Sequence, residues 1–143
     1  MSTINMSGLE MMQAMISGKI PIASIAVTIP MKGISVEHGR IVFEATADER
    51  HLNPLGGVHG GFAATVLDSV TGCAVHTVLE PGVGYATVDL NIKMMRPVSV
   101  NVPLIAEGKI INISKSLAIS EGSLKDSEGK LYAHATATCM IKR

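Results

Sequence analysis

Residues 51–79 read HLNPLGGVHGGFAATVLDSVTGCAVHTVL, and the fold turns on them. A turn-rich approach through Asn53, Pro54, Gly56 and Gly57 leads to a helix start at His59-Gly60-Gly61, beyond which the chain is mostly apolar to Leu79. Phe62, Ala63, Ala64, Val66, Leu67, Val70, Cys73, Ala74, Val75, Val78 and Leu79 occupy nearly every face of that helix, which is therefore expected to be buried rather than one-sided. Asp68 breaks the pattern. A lone carboxylate in such company is costly unless something partners it or uses it. The run from 61 to 79 is the only one of membrane length, but a charge near the middle of a span costs roughly 2.5–3.5 kcal/mol, which favours a protein interior over lipid.

The rest of the composition narrows the class. A chain of 143 residues makes one domain able to bury about two thirds of its unfolded surface. Formal net charge is zero and the basic residues are scattered, so the stripe that tracks a phosphate backbone is missing and no nucleic-acid partner is expected. Cys73 and Cys139 sit in apolar settings without metal or redox spacing and read as core thiols of a reducing compartment. No early lysine or arginine precedes an apolar run, and Glu10 and Gln13 interrupt the first one, so the cytoplasm is expected, with neither a secretion signal nor a membrane span. His38, His51, His76 and His134 lack ligand spacing, and a metal site is not expected.

Ahead of the central helix, Leu9, Met12 and Ile16, with Met11 and Met15, recur at helical spacing. They predict an N-terminal amphipathic helix within residues 1–20, stopped by Gly18 and Pro21. Residues 25–31 contain Pro30 and read as an irregular lead-in or edge segment. Residues 34–37 and 40–47 flank His38-Gly39 as a hairpin. After the helix, Pro81-Gly82 and Gly84 break the chain before residues 85–95, where Val88, Leu90 and Ile92 alternate with Thr87, Asp89, Asn91 and Lys93 as a half-buried strand. Three more strands are read over 102–113, 116–125 and 130–141; in the last, Ala133, Ala135, Ala137 and Cys139 alternate with Tyr132, His134, Thr136 and Thr138. With one long helix over 59–79, several antiparallel strands and no βαβ alternation, the class is α+β: a curved antiparallel sheet wrapped around one central helix.

The pattern His51-x-Asn53-x-x-Gly56-x-x-His59-Gly60-Gly61, followed by Asp68 in the helix and by Thr87-Val88-Asp89-Leu90-Asn91 on the next strand, resembles the hotdog-fold acyl-CoA thioesterases. The resemblance is closest to the PaaI-like, phenylacetic acid degradation type, and is strongest over residues 51–97. It implies a single hotdog domain over 1–143 that pairs with a second copy into a continuous sheet, usually as a tetramer of two dimers. It implies an acyl-CoA substrate, so that coenzyme A arrives as part of the substrate and no cofactor is retained. By the same resemblance Asp68 is the nucleophile or general base, and the Gly60 N–H polarises the thioester carbonyl. Asn53 and His59 orient thioester and water, Thr87 supplies a hydroxyl, Gly61 borders the substrate, and Arg96 stands near the coenzyme A surface.

Chemistry adds a constraint of its own. A thioester needs an attacking oxygen and a fixed dipole for the developing oxyanion, and an N–H at a helix start is such a dipole. Eight residues separate Gly60 from Asp68, about 12 Å along a helix at roughly 1.5 Å per residue, whereas both groups should lie about 3 Å from one carbonyl. A shared site follows, with Asn53, His59 and Gly60 from one chain and Asp68 and Thr87 from another. The plainer alternative is a structural carboxylate bonded to Thr65 or Ser69, in a domain that binds acyl-CoA without cleaving it. A hotdog enoyl-CoA hydratase is suggested by Asn53-Pro54-Leu55, but His51 and Gly56 stand where its acid and base would be. With 3% aromatic residues and much Ala, Val, Ile and Met, the acyl pocket is expected to be apolar and adaptable, suiting aryl, arylacetyl or medium-chain groups.

Overall fold

The computed structural model describes residue 3 and residues 5–143; residues 1, 2 and 4 of the expected N-terminal helical region lie outside the described residues. Helix α1, Gly8–Ile16, starts where Ser7 and Glu10 form a reciprocal capping box and buries Met12 and Ala14. It gives out before Gly18, whose φ of 81° takes the chain into the left-handed region. Residues 25–31, read as irregular, hold a single helical turn, α2 (Ile25–Thr28), which buries none of its residues.

Strands β1 (Met31–Glu37), β2 (Arg40–Ala45), β3 (Gly84–Met94), β4 (Leu104–Ile113), β5 (Leu117–Lys125) and β6 (Leu131–Lys142) form one antiparallel sheet in the order β1-β2-β4-β5-β6-β3. Helix α3, Gly60–His76, lies across its concave face, giving the hotdog arrangement expected. The sheet can close on the helix because its inner face is built of small residues. Ala106, Ala118, Ala133, Ala135, Ala137 and Cys139 are buried there. Gly108 pairs directly with Gly122 at the point of closest approach, where a Gly108 Cβ would lie 2.0 Å from the Val70 carbonyl oxygen. Ser120 Oγ donates to the Thr71 carbonyl at 3.1 Å and pins the helix at the same level.

Three features differ from the sequence reading. The helix ends at His76 rather than Leu79, because the Thr77 hydroxyl donates to the Ala74 carbonyl and accepts from the Gly39 N–H, while Val78 and Leu79 turn off in tighter i to i−3 bonds. Asp68 is exposed, not enclosed: the sheet covers only part of the helix and leaves a stripe on which Gly60 and Asp68 are exposed and Gly61, Ala64 and Thr65 half-buried. In β3 the register against β6 shifts between Thr87 and Asp89, so that Thr87 opposes Cys139 while Leu90 opposes Ala137. This bulge moves Val88 out, 55% exposed, and turns Thr87 onto the same face as Leu90 and Ile92, toward α3.

His76, in the last turn of α3, packs against the Tyr85 ring with centroids 5.5 Å apart, and burial pushes its pKa below the ordinary histidine value. A base whose folded pKa is lowered stabilises the fold fully above its unfolded value of about 6.5 and loses that contribution as the pH falls below it. Melting curves should therefore show a lower melting temperature at pH 5.5 than at pH 7.5, and His76→Leu should flatten the difference. An unchanged slope in the variant would remove His76 as its source.

Candidate active site

The loop ahead of α3 is held by its own polar groups. In the 3-10 turn Glu49–His51, Asp48 Oδ1 accepts from the Arg50 N–H and His51 Nδ1 accepts from the Asp48 N–H, each at 2.9 Å. Hydrogen bonds from Arg50 hold the Asp48 carboxyl well below the usual carboxylate range. Since Nδ1 of His51 accepts, its proton sits on Nε2, which donates to the Thr28 carbonyl at 2.9 Å. The buried ring also packs on Phe62, 5.7 Å between centroids. Both nitrogens are thus engaged, and His51 is not free to act as a hydratase acid or base. The backbone then doubles back: the His59 N–H donates to the His51 carbonyl, and the Asn53 N–H to that of Gly57. Asn53 Oδ1 accepts from the N–H groups of Leu55 (2.9 Å) and Gly57 (3.2 Å), which leaves its NH2 as the group able to face a ligand.

His59 caps α3 through Nδ1, which accepts the Gly61 N–H at 2.7 Å. Gly61 must be glycine for this, because a Cβ would come within 2.8 Å of that nitrogen. The cap leaves the neighbouring donor open: among the described residues the Gly60 N–H has no hydrogen-bond partner. A side chain at 60 would meet Met94 Sδ at 3.0 Å. His59, Gly60 and Arg96 share a cleft of about 310 Å³, with Met94, Val98 and Tyr132 on its walls. Met94 and Tyr132 were given no part in the site by the sequence, and His51 entered only as the first residue of the motif, without the structural bonds found here.

The second group lies farther along the helix. α3 and β3 run in opposite directions, with Gly60 against Met94 and Gly72 against Tyr85. Asp68, one turn before Gly72, sits near the Tyr85 end of the strand. Burial, opposed by a hydrogen bond from Tyr85 and aided by the Asp68 charge, pushes the Cys73 thiol up to about 12. Cys139 is raised by burial and by the same charge, and its Sγ is 3.7 Å from Thr87 Oγ1. Both thiols are held above their ordinary pKa by burial and are poor nucleophiles. The carboxylate accepts no hydrogen bond among the described residues; the Thr65 hydroxyl donates to the Gly61 carbonyl instead, so Thr65 does not partner the acid. The residues singled out in the sequence thus fall in separate places: His59, Gly60 and Arg96 line the cleft at the helix start, Asn53 stands in the loop ahead of it, Asp68 lies two turns along α3, and Thr87 is on β3 against Cys139. Among the described residues, no cluster of histidine, cysteine or carboxylate side chains could hold a metal, and no helix is long and apolar enough to cross a membrane.

A sheet closed around a single helix in this strand order is the hotdog fold. The family model of the thioesterase superfamily matches residues 55–133, the stretch that carries the helix start, Asp68 and Thr87, and the chain belongs to that superfamily: it is an enzyme that hydrolyses thioesters. A phenylacetic acid degradation-related protein from Ralstonia eutropha superposes with a TM-score of 0.82 at 31% identity, over 90% of this chain and 98% of that one. Acyl-coenzyme A thioesterase 13 of Mus musculus is 31% identical over 106 residues, 73% of this chain and 75% of its own length. A thioesterase-fold protein from Streptococcus pneumoniae, solved with coenzyme A, shares the fold at 20% identity and a TM-score of 0.72, over 78% of this chain and 85% of its own.

Proposed function

We propose that the chain hydrolyses acyl-CoA thioesters to a free acid and coenzyme A, in a site completed by a second copy. The observation that carries this reading is that a Gly60 N–H and an Asp68 carboxylate, both without a hydrogen-bond partner among the described residues, lie on one side of the helix about 12 Å apart at roughly 1.5 Å per residue. Two such helices laid side by side in opposite directions about Ala64 would set the Gly60 of each against the Asp68 of the other. The small side chains of Gly61, Ala64 and Thr65 would allow that approach. The strand β3 forms a free edge of the sheet, so edge pairing of two copies would bring the helices together in the same operation.

In the joined site the thioester carbonyl oxygen accepts from the Gly60 N–H, which also lies at the positive end of the helix. Asp68 of the other chain takes a proton from a water that attacks the carbonyl carbon; as the C–S bond breaks that proton passes to the thiolate, giving the free acid and coenzyme A, or else Asp68 itself attacks, the thiolate leaves and takes a proton from water, and a water then hydrolyses the acyl–Asp68 anhydride and restores the carboxylate. Thr87 holds the attacking group, Asn53 NH2 and His59 Nε2–H hold the thioester, and Arg96 meets phosphate at the cleft mouth. The acyl-CoA chemistry of the Mus musculus relative supports this choice of substrate.

Complementation tests the sharing. Gly60→Val and Asp68→Asn chains, each inactive alone, are co-expressed with different tags and the heterodimer is purified. A shared site leaves one of two sites intact and restores about half of the wild-type activity per dimer. If each chain acts alone, every site keeps one defect and nothing is restored.

A further inference from the structure

One buried side chain ties four segments together at the foot of the loop that carries Asn53. His51 Nδ1 accepts from the Asp48 N–H and its Nε2–H donates to the Thr28 carbonyl, each at 2.9 Å, while the ring packs on Phe62 of α3 with centroids 5.7 Å apart. We propose that His51 is a positioning residue of the thioester site. It meets no substrate, but it holds the Asn53 amide and the Gly60 N–H where the transition state needs them. The proposal rests on the acyl-CoA reading above and adds a residue to it.

The backbone shows how one ring can control both groups. The His51 carbonyl accepts the His59 N–H at 2.8 Å, a bridge joins Leu52 to Val58, and the Asn53 N–H donates to the Gly57 carbonyl at 2.7 Å. Residues 52–58 are therefore a closed loop standing on two feet, His51 and His59. Its tip is in solvent, with Leu55 97% exposed, so its placement is set from the feet. One foot, His59, caps α3 and leaves the Gly60 N–H open; the other, His51, is 9% exposed and anchors the loop to the body. The anchor reaches α2, a single turn that buries none of its own residues and borders an apolar cavity under α1. There His51 supplies the partner of the Thr28 carbonyl, one of those that a helix end leaves open. The residue type fits the task. A neutral imidazole sets an acceptor and a donor on opposite sides of one flat apolar ring, and here both nitrogens and a face are in use. Leucine supplies neither bond, and glutamine offers Thr28 an NH2 but leaves the Asp48 N–H unpaired. Donors that receive a developing oxyanion tolerate little movement: a misplacement of about 1 Å costs on the order of 10²-fold in rate.

The test measures kcat and KM for hexanoyl-CoA and phenylacetyl-CoA on the full chain, at a temperature where thermal melts show every variant folded. His51→Leu should lower kcat by about 30-fold and leave KM within about twofold, because Arg96 is held from β6, through the Tyr132 carbonyl, and not by this loop. His51→Gln, which keeps a donor for Thr28, should turn over at least about fivefold faster than His51→Leu. In an Asn53→Ala background the further loss on adding His51→Leu should shrink to about fivefold or less, since the amide that it positions is already gone. A residue serving stability alone would lower the melting temperature and leave the kcat of the folded enzyme at the wild-type value. That result, or full additivity with Asn53→Ala, overturns the proposal. If His51→Leu does not fold, His51→Gln replaces it in the cycle with Asn53→Ala, and additivity there overturns the proposal equally. Wild type that cleaves neither thioester would instead sink the acyl-CoA reading, and the proposal with it.

Discussion

Asp68→Asn is expected to lower kcat by about 10²- to 10⁴-fold while leaving the melting temperature unchanged, a combination that separates a working carboxylate from a structural one. The asparagine keeps the size of the side chain and removes only its charge and basicity. Asp68 is exposed in the single chain and accepts no hydrogen bond among the described residues, so the fold loses nothing that it was using, and a stability change within about 0.5 kcal/mol follows. Steady-state kinetics with a saturating acyl-CoA and a thermal melt of the same preparation give both numbers. Full activity in the variant would eliminate Asp68 from the mechanism, and a large loss of stability would return it to the role of a core anchor. A domain that merely binds acyl-CoA would show retained affinity and no turnover in wild type and variant alike.

Gly108→Ala should be the most damaging single methyl group in the sheet. Its Cβ would lie 2.0 Å from the Val70 carbonyl oxygen and 2.5 Å from the carbonyl carbon, both helix backbone, so α3 as a whole has to retreat from β4. Overpacking against atoms that cannot rotate away is expected to cost about 3 kcal/mol or more, on the order of 10 °C in melting temperature for a chain of this size. Gly122→Ala, on the paired position of β5, is the control. There the nearest atoms are the side-chain ends of Thr71, Val70 and Leu67 at 3.0, 3.2 and 3.3 Å, which can shift by a few tenths of an ångström, and about 1 kcal/mol is expected. Equal melting temperatures for the two variants would mean that the helix does not rest on β4 as described. A retreat of α3 would also move Gly60 and Asp68, so Gly108→Ala should lose activity in proportion to the displacement even where it folds.

Much of this molecule can be read from its chain of letters. The period of the apolar residues, the His59-Gly60-Gly61 start, the turn at His38-Gly39 and the alternation along 130–141 each specify a local conformation through forces acting within a few residues, so helix and strands fall close to where they were expected. The motif also picked out His59, Gly60 and Arg96, which the fold places on one cleft. What it did not settle depends on neighbours distant in sequence. Gly61, Ala64 and Thr65 look like packing residues on a helical wheel, yet whether they are covered depends on how far the sheet wraps, and that is fixed by the glycine and alanine content of β4, β5 and β6. Thr87 alternates with Leu90 on paper; the shifted register against β6 puts both on one face, and a bulge is a property of two strands, not of one. The α2 turn beside the apolar cavity under α1 likewise comes from a segment whose own pattern is too weak to specify anything, and it is held by His51, a residue 23 positions from Thr28. Short-range propensity fixed the elements, whereas the surface left open for chemistry was decided only by which elements came to lie against one another.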